Sequence, residues 1–428
     1  MMPWSGDDPP GDHGVTAADP DIIAAEHVVT PDGVLTPGWI RIRAGRIEAV
    51  LAGEPPATVT AGRRAQWALP GFIDMHVHGG GGASFTEGGP EDARRAAAFH
   101  RAHGTTRTLA SLVTAPVDRL ERRVALLADL ADEGVIDGIH LEGPFLSAVR
   151  CGAQDPRYLI APDVTTFNRL HTASRGWLRM ITIAPELPGA TALIRAAAAA
   201  GVIAAAGHTD ASAQVTADAI DAGISHATHL FNGMRPLDQR APGPAGALLD
   251  RQVSCEVIAD GTHLHDAIVR LTARAAGPGN LVLITDAMAA AGRPDGHYRL
   301  GDLDVTVSAG VARLAAAPRA AAADSAPLGA GPDTTAPPGA APVSTAPLGA
   351  IAGSTATMEL VVRHAITSVG LSVTDVARAA STTPARRLGL DDVTGSLRAG
   401  LAADIVLLDE DFRLRAVIAR GECPQPAT

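Results

Sequence analysis

Apolar strand-like runs alternate with helix-like runs through the middle of the chain. This is the pattern of repeated strand–helix units with a parallel sheet. Helix-like stretches such as EDARRAAAFHRAHG and ADAIDAGI separate the strands. Eight strand candidates can be read, at 72–78, 105–112, 138–143, 182–186, 202–210, 226–232, 255–261 and 281–287. Eight such units predict an α/β fold, a (β/α)8 TIM-type barrel.

Shorter strands with alternating polarity and turn signals occupy the two ends of the chain. DIIAAEHVVT, PDG and WIRIRAGRIEAV come early, and GSLRAGLAADIVLLDEDFRLRAVIARG comes late. Two β-rich segments flanking a long middle predict one small β domain built from both chain ends. The predicted boundaries are a leader over 1–20, the small β domain over 21–68 and 385–428, and the barrel over 69–384.

Two segments have a composition unsuited to packed structure. Residues 1–20 are acidic and rich in Pro and Gly, which predicts a disordered leader. Residues 315–350 contain the near-repeats SAPLGAGPDT, TAPPGAAPVS and TAPLGAIAGS. Because Pro and Gly at this density cannot support a helix or strand, we expect a flexible surface insertion there.

Charge and cysteine content narrow the classes of partner. The 428 residues carry a formal net charge of -11, which argues against nucleic acid and anionic membranes as partners. There is no run of 18 apolar residues, and the N-terminus lacks the features of a signal peptide. Cys151, Cys255 and Cys423 match neither a disulfide framework nor a zinc ribbon, so a cytoplasmic setting is expected.

The chain contains no lysine, and all 35 basic residues are arginine. Schiff-base chemistry, pyridoxal phosphate attachment and a P-loop lysine are therefore excluded. A metal site bridged by a carboxylated lysine is excluded for the same reason.

Metal-ligating residue types are concentrated at the carboxyl ends of the predicted strands. In a (β/α)8 barrel these ends form the active-site face. The first strand ends in His-Val-His, and alternate residues of a strand share a face, so both imidazoles are expected to point into the barrel mouth. Nitrogen and oxygen donors of this number suit a hydrolytic divalent metal site. The candidates are His76, His78, Glu142, His208, His229 and Asp286.

Seven longer segments around these candidates carry a recognisable pattern: LPGFIDMHVHGGGG, HLEGPFLS, AAGHTDAS, ATHLFNGM, IADGTHLH, LITDAMAAAG and IAGSTATM. Together they resemble the N-acetylglucosamine-6-phosphate deacetylase family of the amidohydrolase superfamily. The similarity runs from about residue 35 to residue 420, except for 315–350. HLEGPF and ATHLFN are specific to the family, whereas the HxH is shared by the whole superfamily.

The resemblance implies roles for the metal candidates. Glu142, His208 and His229 match the ligands of the main catalytic metal, and Asp286 matches the catalytic aspartate. His76 and His78 match a second metal position that some members lack. One or two divalent ions per chain are therefore expected, with zinc favoured and Fe, Mn, Co or Cd as alternatives.

The resemblance also implies the substrate and its contacts. The expected reaction hydrolyses the N-acetyl group of N-acetylglucosamine-6-phosphate to glucosamine-6-phosphate and acetate, in amino sugar catabolism and recycling. In the family, the arginine at position 240 reaches the phosphate in the neighbouring subunit, which implies a homodimer. The implied substrate-binding residues are Ala153, Gln154, Asn232, Gly233, Arg240, Asp260, Gly261, Thr262, His263, Ile351, Ala352 and Gly353.

One departure from the family and two alternative functions remain at this point. The family usually has a histidine where this chain has Gln154, and an amide cannot be cationic. Cys151, nearby, is either an inert small residue or a redox-sensitive thiol.

The first alternative function is another deacylase of the superfamily, acting on N-acyl amino acids or cyclic amides. The second is a non-catalytic scaffold on the same barrel.

Overall fold

The computed structural model describes residues 21–56, 63–315 and 349–422. The predicted leader over 1–20 lies outside these ranges. So does the predicted insertion, apart from its first residue and its last two.

Strands from both ends of the chain form one seven-stranded sheet, which is the small β domain that the sequence pattern predicted. Its strands are β1 (Asp21–Thr30), β2 (Gly33–Leu35), β3 (Gly38–Arg43), β4 (Arg46–Ala52), β5 (Arg64–Pro70), β19 (Ile405–Leu408) and β20 (Leu414–Ile418). The order is β20-β19-β5-β1-β3-β4, with β2 paired to β1. Alternate residues such as Ile23, Ile40 and Ile405 are fully buried on one face, which gives this sheet its own core. The exact domain boundaries stay a prediction.

Eight parallel strands form the barrel and confirm the predicted fold. They are β6 (Phe72–Val77), β9 (Thr105–Leu112), β10 (Gly138–Glu142), β11 (Leu178–Ile183), β12 (Ile203–Ala206), β13 (Ile224–Ala227), β14 (Ser254–Val257) and β15 (Leu281–Leu283), in that order around the sheet. A parallel bridge between Val77 and Ala287 joins the first and last strands at their carboxyl ends. The Asp286 amide donates to the His76 carbonyl there, at 2.8 Å.

The predicted bounds of the last five strands were wrong: those of the fifth to eighth ran four or five residues past the observed ends, and those of the fourth were displaced. The fourth strand spans Leu178–Ile183 rather than 182–186, and it pairs with β10 from Leu178 onwards. Pro185 explains why the strand ends before residue 186, because a proline has no N–H to donate to a neighbouring strand. Three of the predicted metal ligands lie past their strands: His208 and His229 two residues after β12 and β13, and Asp286 three residues after β15.

Helices cover the outside of the barrel. The barrel helices are α1 (Pro90–Ala102), α2 (Val117–Asp132), α3 (Val164–Ala173), α4 (Ala190–Ala199), α5 (Ala213–Ala222), α6 (Gly243–Asp250), α7 (Asp266–Ala276) and α8 (Met358–Thr367), followed by α9 (Val373–Ala377) and α10 (Thr383–Arg387). The first begins with Pro90, and the Asp92 side chain accepts the Gly89 N–H at 2.8 Å, which caps the helix. None of the helices in the described ranges is both long and apolar enough to cross a membrane.

A small antiparallel sheet beside the barrel mouth was missed by the sequence analysis. Its strands are β16 (Gly296–Leu300), β17 (Leu303–Ser308) and β18 (Val311–Leu314), and a short hairpin of β7 (Gly79–Gly80) and β8 (Ala83–Ser84) lies near the same end of the barrel. Leu300, Val305 and Val307 pack with Met288, next to the last strand end. This sheet carries the chain out to residue 315, and the chain returns at residue 349.

Candidate active site

The five predicted metal ligands and the predicted catalytic Asp286 converge at the carboxyl end of the barrel in two groups. His76, His78 and Asp286 form one group, and Glu142, His208 and His229 form the other. Within each group the ligand atoms lie within 4.8 Å of one another, and all six residues are buried. Residues up to 210 positions apart in the sequence therefore meet because the barrel closes.

Glu142 lies between the two groups. Its Oε1 is 3.0 Å from Nε2 of His208 and 2.8 Å from Nε2 of His229. Its Oε2 is 3.2 Å from Nε2 of His78. Asp286 Oδ1 closes the other side, at 3.2 Å from the same His78 nitrogen. One carboxylate thus faces ligands of both groups, as in sites that hold two neighbouring metal ions.

The outer ring nitrogens of three histidines face groups that only accept hydrogen bonds. Nδ1 of His76 lies 3.0 Å from a carboxylate oxygen of Glu256, Nδ1 of His78 lies 3.2 Å from the Ser111 carbonyl, and Nδ1 of His208 lies 2.9 Å from the Arg150 carbonyl. Each Nδ1 must therefore carry a proton, and in the neutral ring the Nε2 lone pair points into the site.

Closely facing ring nitrogens indicate that the site favours a positive charge, either a proton or a metal ion. Nε2 of His76 and Nε2 of His78 are 3.1 Å apart, and Nε2 of His208 and Nε2 of His229 are also 3.1 Å apart. Two unprotonated nitrogens at this distance repel each other unless a positive charge lies beside both. Imidazole and carboxylate donors in this arrangement suit a divalent metal such as zinc.

Electrostatics of the buried carboxylates point the same way. Burial opposes the charged form of Glu142, but His76 and the bonds to His208 and His229 hold its pKa well below the usual range. Burial lowers the pKa of His78, yet hydrogen bonds to Asp286 and Glu142 raise it to about 9. Without a metal ion, a proton on His78 supplies the positive charge that these carboxylates favour, and a bound divalent cation would take the place of that proton.

Backbone conformation at the site is unusual. His208, His229 and Asp286 have positive φ values of 46°, 25° and 50°, a region that side chains other than glycine rarely adopt. Such conformations cost on the order of 1–3 kcal/mol each and cluster at functional sites. Asp286 is held on both sides, since its N–H donates to the His76 carbonyl at 2.8 Å and its carbonyl accepts the Ser354 N–H at 2.7 Å. A Cβ on Gly353 would lie 2.8 Å from that same carbonyl oxygen, so only glycine fits there.

A cavity of about 260 Å³ opens onto the ligands. Its wall contains seven of the twelve predicted substrate-binding residues: Ala153, Gln154, Asn232, Gly233, His263, Ile351 and Gly353. Sequence analysis missed Gly152, Leu300 and Ala350, which also line it. Leu300 comes from the missed antiparallel sheet, whose alternating HYRL and LDVTVS runs are the signal that could have revealed it.

The other predicted substrate residues lie elsewhere. Asp260 and Thr262 line an adjoining cavity of about 400 Å³, which shares His263 with the first. Asp260 accepts from Nδ1 of His263 at 2.8 Å. Ala352 is fully buried behind the wall, and Gly261 packs near the His364 ring. Arg240 is exposed and lines neither cavity.

Gln154 is already engaged by protein groups. Its Nε2 donates to Glu142 Oε2 at 2.6 Å, and its Oε1 accepts the Thr114 N–H at 2.7 Å. Both ends of the amide are therefore used in holding a predicted metal ligand. Cys151 is buried close by, and its thiol pKa is raised by burial.

A layer of buried polar residues beneath the ligands was not found from the sequence. Glu256 on β14 and Asp74 on β6 are both fully buried. Asp74 accepts from the Thr285 hydroxyl at 2.5 Å, and burial raises its pKa to about 7. The available signal was a charged residue inside an apolar strand, because a buried charge needs a partner.

Fold and site together define a metal-dependent hydrolase built on a (β/α)8 barrel. Residues 67–423 match the amidohydrolase family. The chain belongs to the amidohydrolase family.

Individual relatives refine this assignment. The chain is similar to a solved structure of N-acetyl-D-glucosamine-6-phosphate deacetylase from Mycobacterium smegmatis, an aspartate-to-alanine variant in complex with N-acetyl-D-glucosamine-6-phosphate. The identity is 44%, the TM-score is 0.84, and the match covers 95% of this chain and 99% of the other. N-acetylglucosamine-6-phosphate deacetylase from Bacillus subtilis (strain 168) is 33% identical over 92% of this chain and 94% of its own. N-acetylgalactosamine-6-phosphate deacetylase from Escherichia coli O157:H7 is 32% identical over 94% of this chain and 98% of its own. The resemblance stated from the motifs is confirmed.

Proposed function

We propose that this chain hydrolyses the N-acetyl group of N-acetylglucosamine-6-phosphate, giving glucosamine-6-phosphate and acetate in amino sugar catabolism. The observation that carries the proposal is a set of six buried side chains, five of which line one cavity, in a chain 44% identical to a deacetylase solved with this compound. The set also argues against the scaffold alternative, because a scaffold has no need to retain a complete ligand set.

In the proposed mechanism, Glu142, His208 and His229 hold a catalytic divalent ion, and His76 and His78 hold a second. A bound ion of this kind lowers the pKa of water and polarises a carbonyl. Asp286 accepts the proton of the attacking water through its carboxylate and then returns it to the leaving amine nitrogen. The walls of the cavity exclude bulk water and orient the acetyl group toward this carboxylate.

Substrate contacts follow from the cavity wall. Asn232 and His263 offer polar groups to the sugar and its phosphate, while Ile351 and Leu300 offer apolar contact. Gln154 is placed by its bonds to support Glu142 rather than to contact the substrate freely. We include Arg240 as a phosphate ligand that acts in a neighbouring subunit, which makes the functional unit a homodimer.

Zinc is the proposed metal, because four imidazoles with two carboxylates suit its preference for nitrogen and oxygen donors. Iron, manganese, cobalt and cadmium remain alternatives, with one or two ions per chain. A cytoplasmic location is proposed because the described cysteines, Cys151 and Cys255, are buried and free.

A second substrate is favoured by one comparison. The relative from Escherichia coli O157:H7, at 32% identity, is named for the galactosamine isomer. The two sugars differ only in the configuration at C4, and the metal, the water and Asp286 act on the acetamide. We therefore include N-acetylgalactosamine-6-phosphate as a candidate substrate.

Acetate release from a panel of compounds tests the proposal. Protein stripped by a chelator should lose activity and regain it with a defined divalent metal. The panel comprises the two phosphorylated N-acetylhexosamines, N-acetylglucosamine and an N-acyl amino acid. Preference for a phosphorylated sugar supports the proposal. Faster turnover of the N-acyl amino acid, or full activity without metal, overturns it.

A further inference from the structure

Glu256 occupies an unusual position beneath the predicted metal ligands. It lies on β14 with its side chain fully buried, and it lines neither of the cavities at the barrel mouth. A carboxylate in such a place is costly unless hydrogen bonds satisfy its oxygens. The partners in these hydrogen bonds are the groups whose positions Glu256 can fix.

Both carboxylate oxygens are used. Oε2 accepts from Nδ1 of His76 at 3.0 Å and from the His229 backbone N–H at 3.0 Å. Oε1 lies 3.1 Å from Nε2 of His226. A single oxygen therefore contacts one predicted ligand residue from each metal group.

The two bonds of Oε2 have different consequences. The bond to His76 fixes the proton on Nδ1 and turns the Nε2 lone pair toward the site. The bond to the His229 peptide holds a backbone whose φ of 25° is otherwise unfavourable. The first effect orients a ring, and the second anchors the loop that carries the other ring.

We propose that Glu256 is a positioning residue that aligns His76 and His229 and thereby couples the two metal groups through one carboxylate oxygen. This inference rests on the proposed function only in taking the six ligands to bind metal. The proposed role depends on the length of the Glu256 side chain and on its hydrogen bonds. It does not depend on the charge, because the carboxylate does not face the cavity.

Two substitutions separate reach from charge. Glu256→Asp keeps the negative charge but shortens the side chain by one methylene, so Oε2 can no longer contact both partners. Glu256→Gln keeps the length, and its amide oxygen can accept from Nδ1 of His76 and the His229 N–H while its NH2 faces His226. Positioning therefore predicts that the aspartate variant is the more damaged one.

Glu359 offers a matched control. It also accepts a backbone N–H, from Leu414 at 3.0 Å, and lies 3.4 Å from a histidine nitrogen, of His103. None of these residues lines the barrel-mouth cavities. Glu359→Asp and Glu359→Gln report the effect of altering a carboxylate that has the same two kinds of partner but is 20% exposed and distant from the ligands.

The measurement is zinc or cobalt affinity by competition with a chromophoric chelator, with circular dichroism to check the fold. Altering a group that orients a metal ligand typically weakens affinity by about 10–100-fold. We expect that loss in Glu256→Asp, a loss within about threefold in Glu256→Gln, and no change in the Glu359 variants. Cobalt absorption should shift in Glu256→Asp only.

Three outcomes overturn the inference. If Glu256→Gln binds metal more weakly than Glu256→Asp, the effect is due to charge. If both variants bind metal as tightly as the wild type, Glu256 has no positioning role. Equal losses in the Glu256 and Glu359 variants would assign the effect to general destabilisation. Wild-type protein that binds no metal would instead remove the metal centre itself, and with it both proposals, so the two failures are distinguishable.

Discussion

Two clusters of buried charge, at opposite ends of the barrel strands, are built on different principles. At the amino-terminal side, Asp404 accepts from Arg107 Nε at 2.9 Å, from the Thr394 hydroxyl at 2.7 Å and from the Arg420 N–H at 2.7 Å. Arg107 also donates to Asp137 at 3.0 Å. We call these five residues the seam cluster, because they join the barrel to the small β domain.

We call the five predicted metal ligands and Asp286 the ligand cluster. Its polar atoms do not all find hydrogen-bond partners within the described residues. Nδ1 of His229 is buried without a partner among the described residues, and pairs of Nε2 atoms face each other at 3.1 Å. Three of its backbones have positive φ. In the seam cluster, by contrast, Asp404 and Arg107 find their partners inside the chain. The contrast indicates that the facing Nε2 atoms of the ligand cluster suit an added positive charge, whereas the charges of the seam cluster are already paired within the chain.

The largest expected effect tests the ligand cluster. Asp286→Asn should lower kcat by roughly 10²–10⁴-fold, about 3–5 kcal/mol, because an amide cannot accept the water proton. Asparagine tolerates positive φ, so the fold should survive. Turnover, metal content and urea midpoint are measured together. Near wild-type kcat would exclude Asp286 as the proton shuttle.

Next in size is the seam cluster. Asp404→Asn should cost about 3 kcal/mol of unfolding free energy, since it leaves Arg107 buried with only Asp137 as a charge partner. The urea midpoint should fall while kcat and metal content stay unchanged. Asp118→Asn is the control, because its pair with Arg169 is exposed and such pairs contribute little. A loss of kcat without a loss of stability would show that the two clusters are not separate in role.

Arg240 belongs to neither cluster, and its predicted effect is smaller. A charge-assisted hydrogen bond to phosphate contributes about 1.5–3 kcal/mol, or roughly 10–200-fold in kcat/KM. Arg240→Ala should lose that much with the phosphorylated sugar and little with N-acetylglucosamine. Arg195→Ala, at an exposed arginine on α4, is the control.

Two results would revise the assignment of Arg240. Equal losses with both substrates would show that it acts through the fold or the dimer. A monomer that still prefers the phosphorylated sugar would refute only the cross-subunit part.

The sequence predicted the barrel and the ligand cluster because both follow from local patterns. Strand–helix alternation is visible in the chain, and residues at strand ends share one face whatever the register. Sequence position alone therefore placed His76, Glu142 and Asp286 at one end of the barrel. Motif resemblance added the roles, which spacing alone does not give.

Contacts beneath the site could not be predicted in the same way. Glu256 and His226 are visible as polar residues in apolar strands, but their partners depend on barrel closure and on the depth of each side chain. Arg107 and Asp404 are 297 positions apart, and neither lies in a motif. The fourth strand was predicted too late in the sequence, and Pro185 ends its hydrogen-bonded ladder before the predicted end.

The smallest expected effect comes from removing residues 316–348, which lie outside both clusters. The flanking chain is antiparallel: Arg313 bridges to Ile351, and the Leu314 N–H donates to the Ala350 carbonyl at 2.9 Å. Residues 315 and 349 therefore stand opposite each other, and Asn-Gly should join them as a two-residue hairpin turn. Closing a flexible loop costs about 0.6 kcal/mol per doubling of its length, so the shortened protein should be equally stable or up to roughly 2 kcal/mol more stable.

Because Ala350 and Ile351 line the cavity, kcat checks that the junction has not shifted them. An Asn-Gly replacement of 317–347 tests dependence on the exact junction. A fall in unfolding free energy of more than about 1 kcal/mol in both versions would contradict the prediction of a flexible insertion, because it would show that the segment packs against the fold.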